Sequence, residues 1–301
     1  TRPGRVHRDW LRRAAEAARS APPEDRPDIA VKRAVALLLL DEPEGWTVAA
    51  TIPDEVATPA QRRDVTYRDV NIGEMAMRWG RYEEARNRLN HALRLAETYG
   101  FPRYRESVRA TQPHLDWFTG NWNGLAERAA EIADAADMLP LNRLQGSLVT
   151  ALLLAADGRN ADAERVLRQV LAQTRDLGAV DSWMEPAAAL ARVYLTTGRV
   201  AEALAVSEEP IDVVALKETW LWATDLGPAR IEALLAAGRT GEAEELAAAF
   251  GSGVRGRRAP APQAAVALCE GIVAMYRDGP RRAAAMFDRA AAAWEALPRP
   301  Y

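Results

Sequence analysis

The chain has 301 residues, 49% of them hydrophobic and 27% charged, which is the balance of a folded protein and not of a disordered one. Its net charge of −3 and pI near 5.8, with Lys32 and Lys217 as the only lysines beside many arginines, argue against a concentrated basic face for gripping nucleic acid directly. Cys269 is the only cysteine, so no internal disulfide can form. A reducing, cytoplasmic setting fits that count, as does the lack of a signal peptide or of a spanning apolar run of about 18 residues.

In chain order, Arg5–Arg19 and Asp28–Leu40 read as two helices joined by the proline-rich turn Pro22–Pro27, a degenerate first hairpin. Asp41–Ala57 reads as a loop. It ends in Thr58-Pro59-Ala60-Gln61, where Thr58 can cap, Pro59 suits the first helical position and Gln61 completes a capping box. Residues 1–60 are therefore expected to form an N-terminal hairpin plus loop. The chain opens at Thr1 without a methionine and stops at Tyr301 just after a helix, which suggests a piece of a longer polypeptide.

From residue 61 onward a short pattern recurs: glycine, usually arginine, and alanine five positions after the glycine. It stands as Gly80-Arg81 with Ala85, Gly158-Arg159 with Ala163, Gly198-Arg199 with Ala203, and Gly238-Arg239 with Ala243. Looser copies are Gly120-Asn121 with Leu125 and Gly279-Pro280 with Ala284. The glycines are 40, 38, 40, 40 and 41 residues apart. After Gly158, Ala163, Val166, Leu167, Val170 and Leu171 form one apolar helical stripe, and second helical runs such as Ala187–Leu195 precede the glycines. The glycine then ends the first helix of a hairpin in a left-handed cap, and the small alanine marks where the paired helices cross. This glycine–alanine offset belongs to tetratricopeptide repeats, although the period exceeds their usual length of about 34. The expected fold is all-α: a tetratricopeptide-like α-solenoid, a right-handed superhelix with six hairpins over 61–301.

The search for chemistry finds little. Neither lysine sits in a P-loop. Gly251-Ser252-Gly253-Val254-Arg255-Gly256 matches Gly-x-Gly-x-x-Gly but follows a helix ending at Phe250, so it reads as a mobile linker. His7, His91 and His114 lie at no ligand spacing with other metal-binding residues, and no serine occupies a nucleophile elbow. No cofactor, no metal and no enzymatic activity are expected.

What remains is the groove. First helices line the concave face of this repeat, and aligning on the glycines turns a regular set of positions inward. They give Tyr67, Glu74 and Arg78, then His114, Trp117 and Phe118, then Gln145. Glu185 and Arg192 follow, then Asp225 and Glu232, with Trp222 added by the helix face it would share with Asp225, and finally Tyr276 and Arg277. Such a mix of aromatic and polar groups suits a small molecule or a peptide. Glu218, Trp222 and Asp225 would share one helix face, as would His114, Trp117 and Phe118. Trp79, Trp117, Trp183, Trp220 and Trp222 are placed on first helices, where the alternative to lining the groove is filling space between hairpins. Glu185 and Arg192 could equally be a structural ion pair. Pro113 and Pro228 should kink their helices or end them early, while Pro186 fits a helix start.

Trp220–Arg230, the turn Ala233–Gly238 and the ending Arg289–Tyr301 resemble the helical-repeat region of large LuxR-type ATPase transcription regulators, which are similar to the maltose regulator. Leu115–Gly120 and Met184–Leu190 resemble it too. The resemblance covers roughly residues 65–301 and implies a sensor region that binds an inducer and relays its presence to other domains of its own polypeptide. It fixes no ligand residues. The chain departs from the full pattern in lacking the P-loop and any visible DNA-reading helix pair. The readings are thus an effector-sensing solenoid or, as the alternative, a protein-interaction scaffold, with no membrane contact and a possible homodimer.

Overall fold

The structure, a computed structural model, describes residues 3–22, 26–54 and 58–300, with the Pro27 side chain outside that description. Fifteen α-helices and no strand occur among the described residues. Three precede the repeats: α1 (Gly4–Ser20), α2 (Arg26–Leu39) and α3 (Glu44–Ala50). Six hairpins follow: α4 (Pro59–Trp79) with α5 (Tyr82–Tyr99), α6 (Pro102–Phe118) with α7 (Leu125–Asp134), and α8 (Pro140–Ala156) with α9 (Asn160–Asp176). The last three are α10 (Met184–Thr196) with α11 (Val200–Lys217), α12 (Leu226–Ala236) with α13 (Thr240–Val254), and α14 (Pro260–Asp278) with α15 (Pro280–Glu295). The fold is a tetratricopeptide-like solenoid.

The repeat signature has the physical basis expected of it. Gly80, Gly120, Gly158, Gly198, Gly238 and Gly279 all have φ between 73° and 83°, the left-handed region that costs glycine nothing. Ala85, Ala163, Ala203 and Ala243 are fully buried, as is Leu125, but the expected Ala284 is exposed and its neighbour Ala283 takes the buried place. In four hairpins the arginine after the glycine precedes the second helix and pairs three residues on: Arg81 with Glu84, Arg159 with Asp162, Arg199 with Glu202 and Arg239 with Glu242. Such pairs on the surface contribute little, about 0–1 kcal/mol each.

The first helices pack side by side as an inner row, α4, α6, α8, α10, α12 and α14, and α14 returns to touch α4. The row therefore closes on itself. One apolar cluster joins Val70, Ala76 and Val108 from the first two hairpins to Ala261, Ala264 and Leu297 from the last. At the closure an added Cβ on Gly80 would lie 2.6 Å from the Ala261 backbone nitrogen, so glycine is required there for contact as well as for conformation.

The N-terminal helices seal the seam. α2 packs on α4, Asp41 accepts a hydrogen bond from Leu221 N–H at 2.8 Å, and Trp222 Nε1 donates to Leu39 O at 3.3 Å. Arg8 bridges Glu42 and Glu218, each at 2.6 Å.

Several expectations are corrected. The segment Asp41–Ala57 holds the helix α3, whose Trp46 packs edge-on against Trp79 at 5.4 Å between ring centres. Residues 23–25 of the predicted turn and 55–57 of the predicted loop lie outside the described residues. The helix at Phe250 does not stop there; α13 runs to Val254, and Gly253 within it leaves room for the Trp220 ring, which would overlap a Cβ at that position. Pro228 is the third residue of α12, as Pro186 is of α10, so both sit in a first turn where no intrahelical N–H bond is lost. Pro113 lies inside α6, which continues to Phe118. Trp220 and Trp222 are not on a first helix, because residues Trp220–Ala223 form a 3₁₀ turn ahead of α12. Trp183 likewise precedes α10. The shared face of Glu218, Trp222 and Asp225 therefore does not exist: Glu218 caps α11 at φ 56° and the three residues belong to different turns.

Candidate functional site

Inside the closed row two hollows lie next to each other. One, of about 330 Å³, is lined by Tyr67, Glu74, Arg78, His114, Gln145 and Glu185 among others. The other, of about 550 Å³, is lined by Trp117, Phe118, Glu185, Arg192, Asp225, Glu232 and Arg299 among others. Both volumes fall in the range of small-ligand sites, roughly 300–1,000 Å³. Further hollows along α1 and α2 and between α5, α6 and α7 lie away from most of this inner wall.

Eleven of the fourteen residues placed in the groove line these two hollows. Trp222 does not. It is buried, with the Arg78 guanidinium 4.2 Å above its ring, and it serves to fasten the N-terminal helices to the inner row. Gln145 and Glu232 are among the eleven that line the cavities, whereas Tyr276 is largely exposed and Arg277 pairs with Asp278 and Glu244 outside them.

The wall between the hollows is a side-chain pair. His114 Nε2 lies 2.7 Å from Glu185 Oε1, and the two side chains are nearly buried. The His114 ring also stacks on Phe118 at 4.7 Å. Glu185 and Arg192 do not pair with each other: Glu185 is held by His114, and Arg192 reaches only the Asp225 carbonyl at 3.5 Å. Among the described residues Arg192 forms no ion pair, so its guanidinium is available to an anionic group.

In the larger hollow the charges are balanced unevenly. Burial alone would raise the Asp225 carboxyl, but Arg299, Arg192 and His114 hold it below its usual range. Arg299 donates to Asp225 Oδ1 at 2.7 Å. Glu232 has only the more distant Arg192 to offset its burial, and burial holds its carboxyl above the usual range. Arg192 and a Glu232 whose carboxyl is raised by burial thus share one cavity with the aromatic rings of Trp117 and Phe118. That arrangement can hold a ligand with polar ends and an apolar middle.

Two features escaped sequence reasoning. Arg299 lies beyond the last repeat, where alignment on the glycines has no position to offer. The other is a cluster of Asp54, Asp69 and His91, whose ligand-capable atoms lie within 4.8 Å of one another. Its members lie 15 to 37 residues apart in sequence, so no local spacing announces it. Arg68 and Arg88 pair with both carboxylates, and Arg68 also donates to Ile52 O at 2.9 Å. The cluster is an ion network that ties α4 and α5 to the preceding loop.

No family profile matches the chain. It is similar to the regulatory protein AfsR of Streptomyces griseus, 26% identical over 183 residues, which are 58% of this chain and 18% of that protein. The chain thus spans less than a fifth of the length of that relative. Its fold is similar to that of a Rap protein solved in complex with competence and sporulation factor, with a TM-score of 0.68 at 12% identity, over 97% of this chain and 88% of the other. No helix among the described residues is long and apolar enough to cross a membrane.

Proposed function

We propose that this chain is an effector-sensing region of a transcription regulator of the LuxR type, which binds a small molecule or short peptide inside the closed inner row and passes the bound state to other domains of its polypeptide. The observation that carries this reading is the larger hollow, where Arg192, which forms no ion pair among the described residues, the part-buried Glu232 and the aromatic rings of Trp117 and Phe118 face one space. The similarity to a regulatory protein supports the regulatory half of the reading, and the likeness to a Rap protein solved with competence and sporulation factor supports a bound effector. Binding without catalysis is part of the proposal.

The alternative is a scaffold that grips a protein partner. The closed row speaks for the effector, since hollows of about 330 and 550 Å³ on its inner wall admit a small occupant more readily than a folded domain.

A thermal-shift screen of metabolites and short peptides tests the reading. Hits should raise the melting temperature of the chain and lose that effect in the Arg192→Ala variant. A library that shifts neither protein, beside a pull-down that returns one stoichiometric partner, would establish the scaffold instead.

A further inference from the structure

Beyond α15 the chain continues as Leu297-Pro298-Arg299-Pro300, and this segment crosses from the last hairpin back to the first two. Leu297 is buried in the apolar cluster with Tyr82, Trp117 and Phe118. Pro300 lies against Gly120, where a Cβ would come within 2.6 Å of its ring. Between these two anchors the Arg299 side chain turns inward and is only 9% exposed.

Its surroundings are those of a receptor for a guanidinium group. The Phe118 ring centre lies 4.3 Å from the guanidinium carbon and the Trp294 ring centre 4.8 Å. Asp225 Oδ1 accepts from it at 2.7 Å. Aromatic faces attract a planar cation and a carboxylate orients it. A lysine ammonium would pair with the carboxylate but could not stack. Phe118 and Asp225 belong to the inner row and to the wall of the larger hollow, so this subsite opens into the cavity described above.

We propose that the Phe118–Asp225–Trp294 cage is an arginine-recognition subsite that the chain fills with its own Arg299, and that the effector is a short peptide whose arginine side chain takes the place of Arg299. Arg192, which lines the same hollow and reaches the Asp225 carbonyl, receives a carboxylate of that peptide. Entry of the peptide releases the segment 297–300 from Asp225 and Phe118, which couples occupancy of the cavity to the strand of chain that leaves the last hairpin. This proposal rests on the effector-site reading of the cavity and adds the ligand's chemistry to it.

The test uses the full chain with Arg299→Ala and the probe N-acetyl-arginine methylamide, followed by tryptophan fluorescence. The variant should bind the probe saturably and at least ten-fold more tightly than the unaltered chain. N-acetyl-citrulline methylamide, its neutral isostere, should not bind, and adding Asp225→Asn should abolish the response. If Arg299→Ala does not fold by circular dichroism, Arg299→Gln is titrated in its place with the same expectations. Absence of probe binding to the folded variant, or equal binding of the citrulline probe, overturns the proposal. An effector from the screen that binds the unaltered chain and the Arg299 variant equally would also overturn it, while leaving the cavity reading intact.

Discussion

His114 Nε2 and Glu185 Oε1 are 2.7 Å apart, and their contact joins the second hairpin to the fourth across the interior of the row. The third hairpin lies between them along the chain, so the pair is a strut inside the closed solenoid and the wall between its two hollows. Both partners line the smaller hollow, and Glu185 lines the larger as well.

Removing one end of this strut strands a nearly buried polar group. His114→Ala and Glu185→Gln should each destabilise the chain by about 1–3 kcal/mol. The double variant should lose less than the sum, with a coupling of about 0.5–3 kcal/mol. Chemical denaturation of the four proteins in a cycle measures this. Strict additivity would mean that the pair contributes nothing as a pair.

Closure of the row predicts that equivalent glycines are unequal. Gly80 and Gly158 have nearly the same left-handed φ, +80° and +74°. Gly158→Ala meets open space and should cost only the conformational penalty, about 1–2 kcal/mol. Gly80→Ala adds a collision with the Ala261 backbone and should cost clearly more. Equal melting temperatures for the two variants would show that α4 and α14 do not meet in solution.

Asp41 gives the chain a pH dependence of known sign. Burial pushes its carboxyl up to about 8, against the opposing pull of the Leu221 N–H, Arg257 and Arg8. Its Oδ1 is buried without a hydrogen-bond partner, which suits a protonated acid. In the unfolded chain the same carboxyl ionises near its ordinary value, about 4. The folded state therefore retains a proton that the unfolded state has released. The resulting stability is complete below about pH 4 and is lost as pH rises toward 8. Asp41→Asn keeps the acceptor for Leu221 and does not titrate. Between pH 4 and 8 the unaltered chain should lose more than about 1 kcal/mol relative to that variant. Parallel denaturation curves across the range would contradict this.

Overpacking tests the helix crossings. Ala203→Leu puts a branched side chain where α10 and α11 approach, at a fully buried position, and should cost about 1–3 kcal/mol. The same change at the exposed Ala201 of α11 should be nearly silent by thermal melting.

Much of this fold is legible in the sequence because each hairpin repeats one local solution. Gly198 must turn left-handed and Ala203 must be small, and both demands recur at a nearly constant spacing. A constant period also carries inward positions from one hairpin to the next, which is why His114, Glu185 and Arg192 fall together in the cavity walls. Legibility ends where helical periodicity ends. Trp222 sits in a 3₁₀ turn, so a face computed at helical spacing sends it the wrong way. The helix α3 is only seven residues long and shows no apolar stripe to announce it. Arg299 acts after the last repeat, and Asp54, Asp69 and His91 converge only through tertiary packing.

The most direct test of the central claim is hydrogen–deuterium exchange of the chain with and without the strongest hit from the peptide and metabolite screen. An effector seated in the larger hollow should slow exchange in α6, α10 and α12, whose side chains line it, and speed exchange at the Leu297 and Arg299 amides, the two that the segment 297–300 carries. Protection confined to the outer helices α5, α9 and α13, with α6, α10 and α12 unchanged, would contradict it.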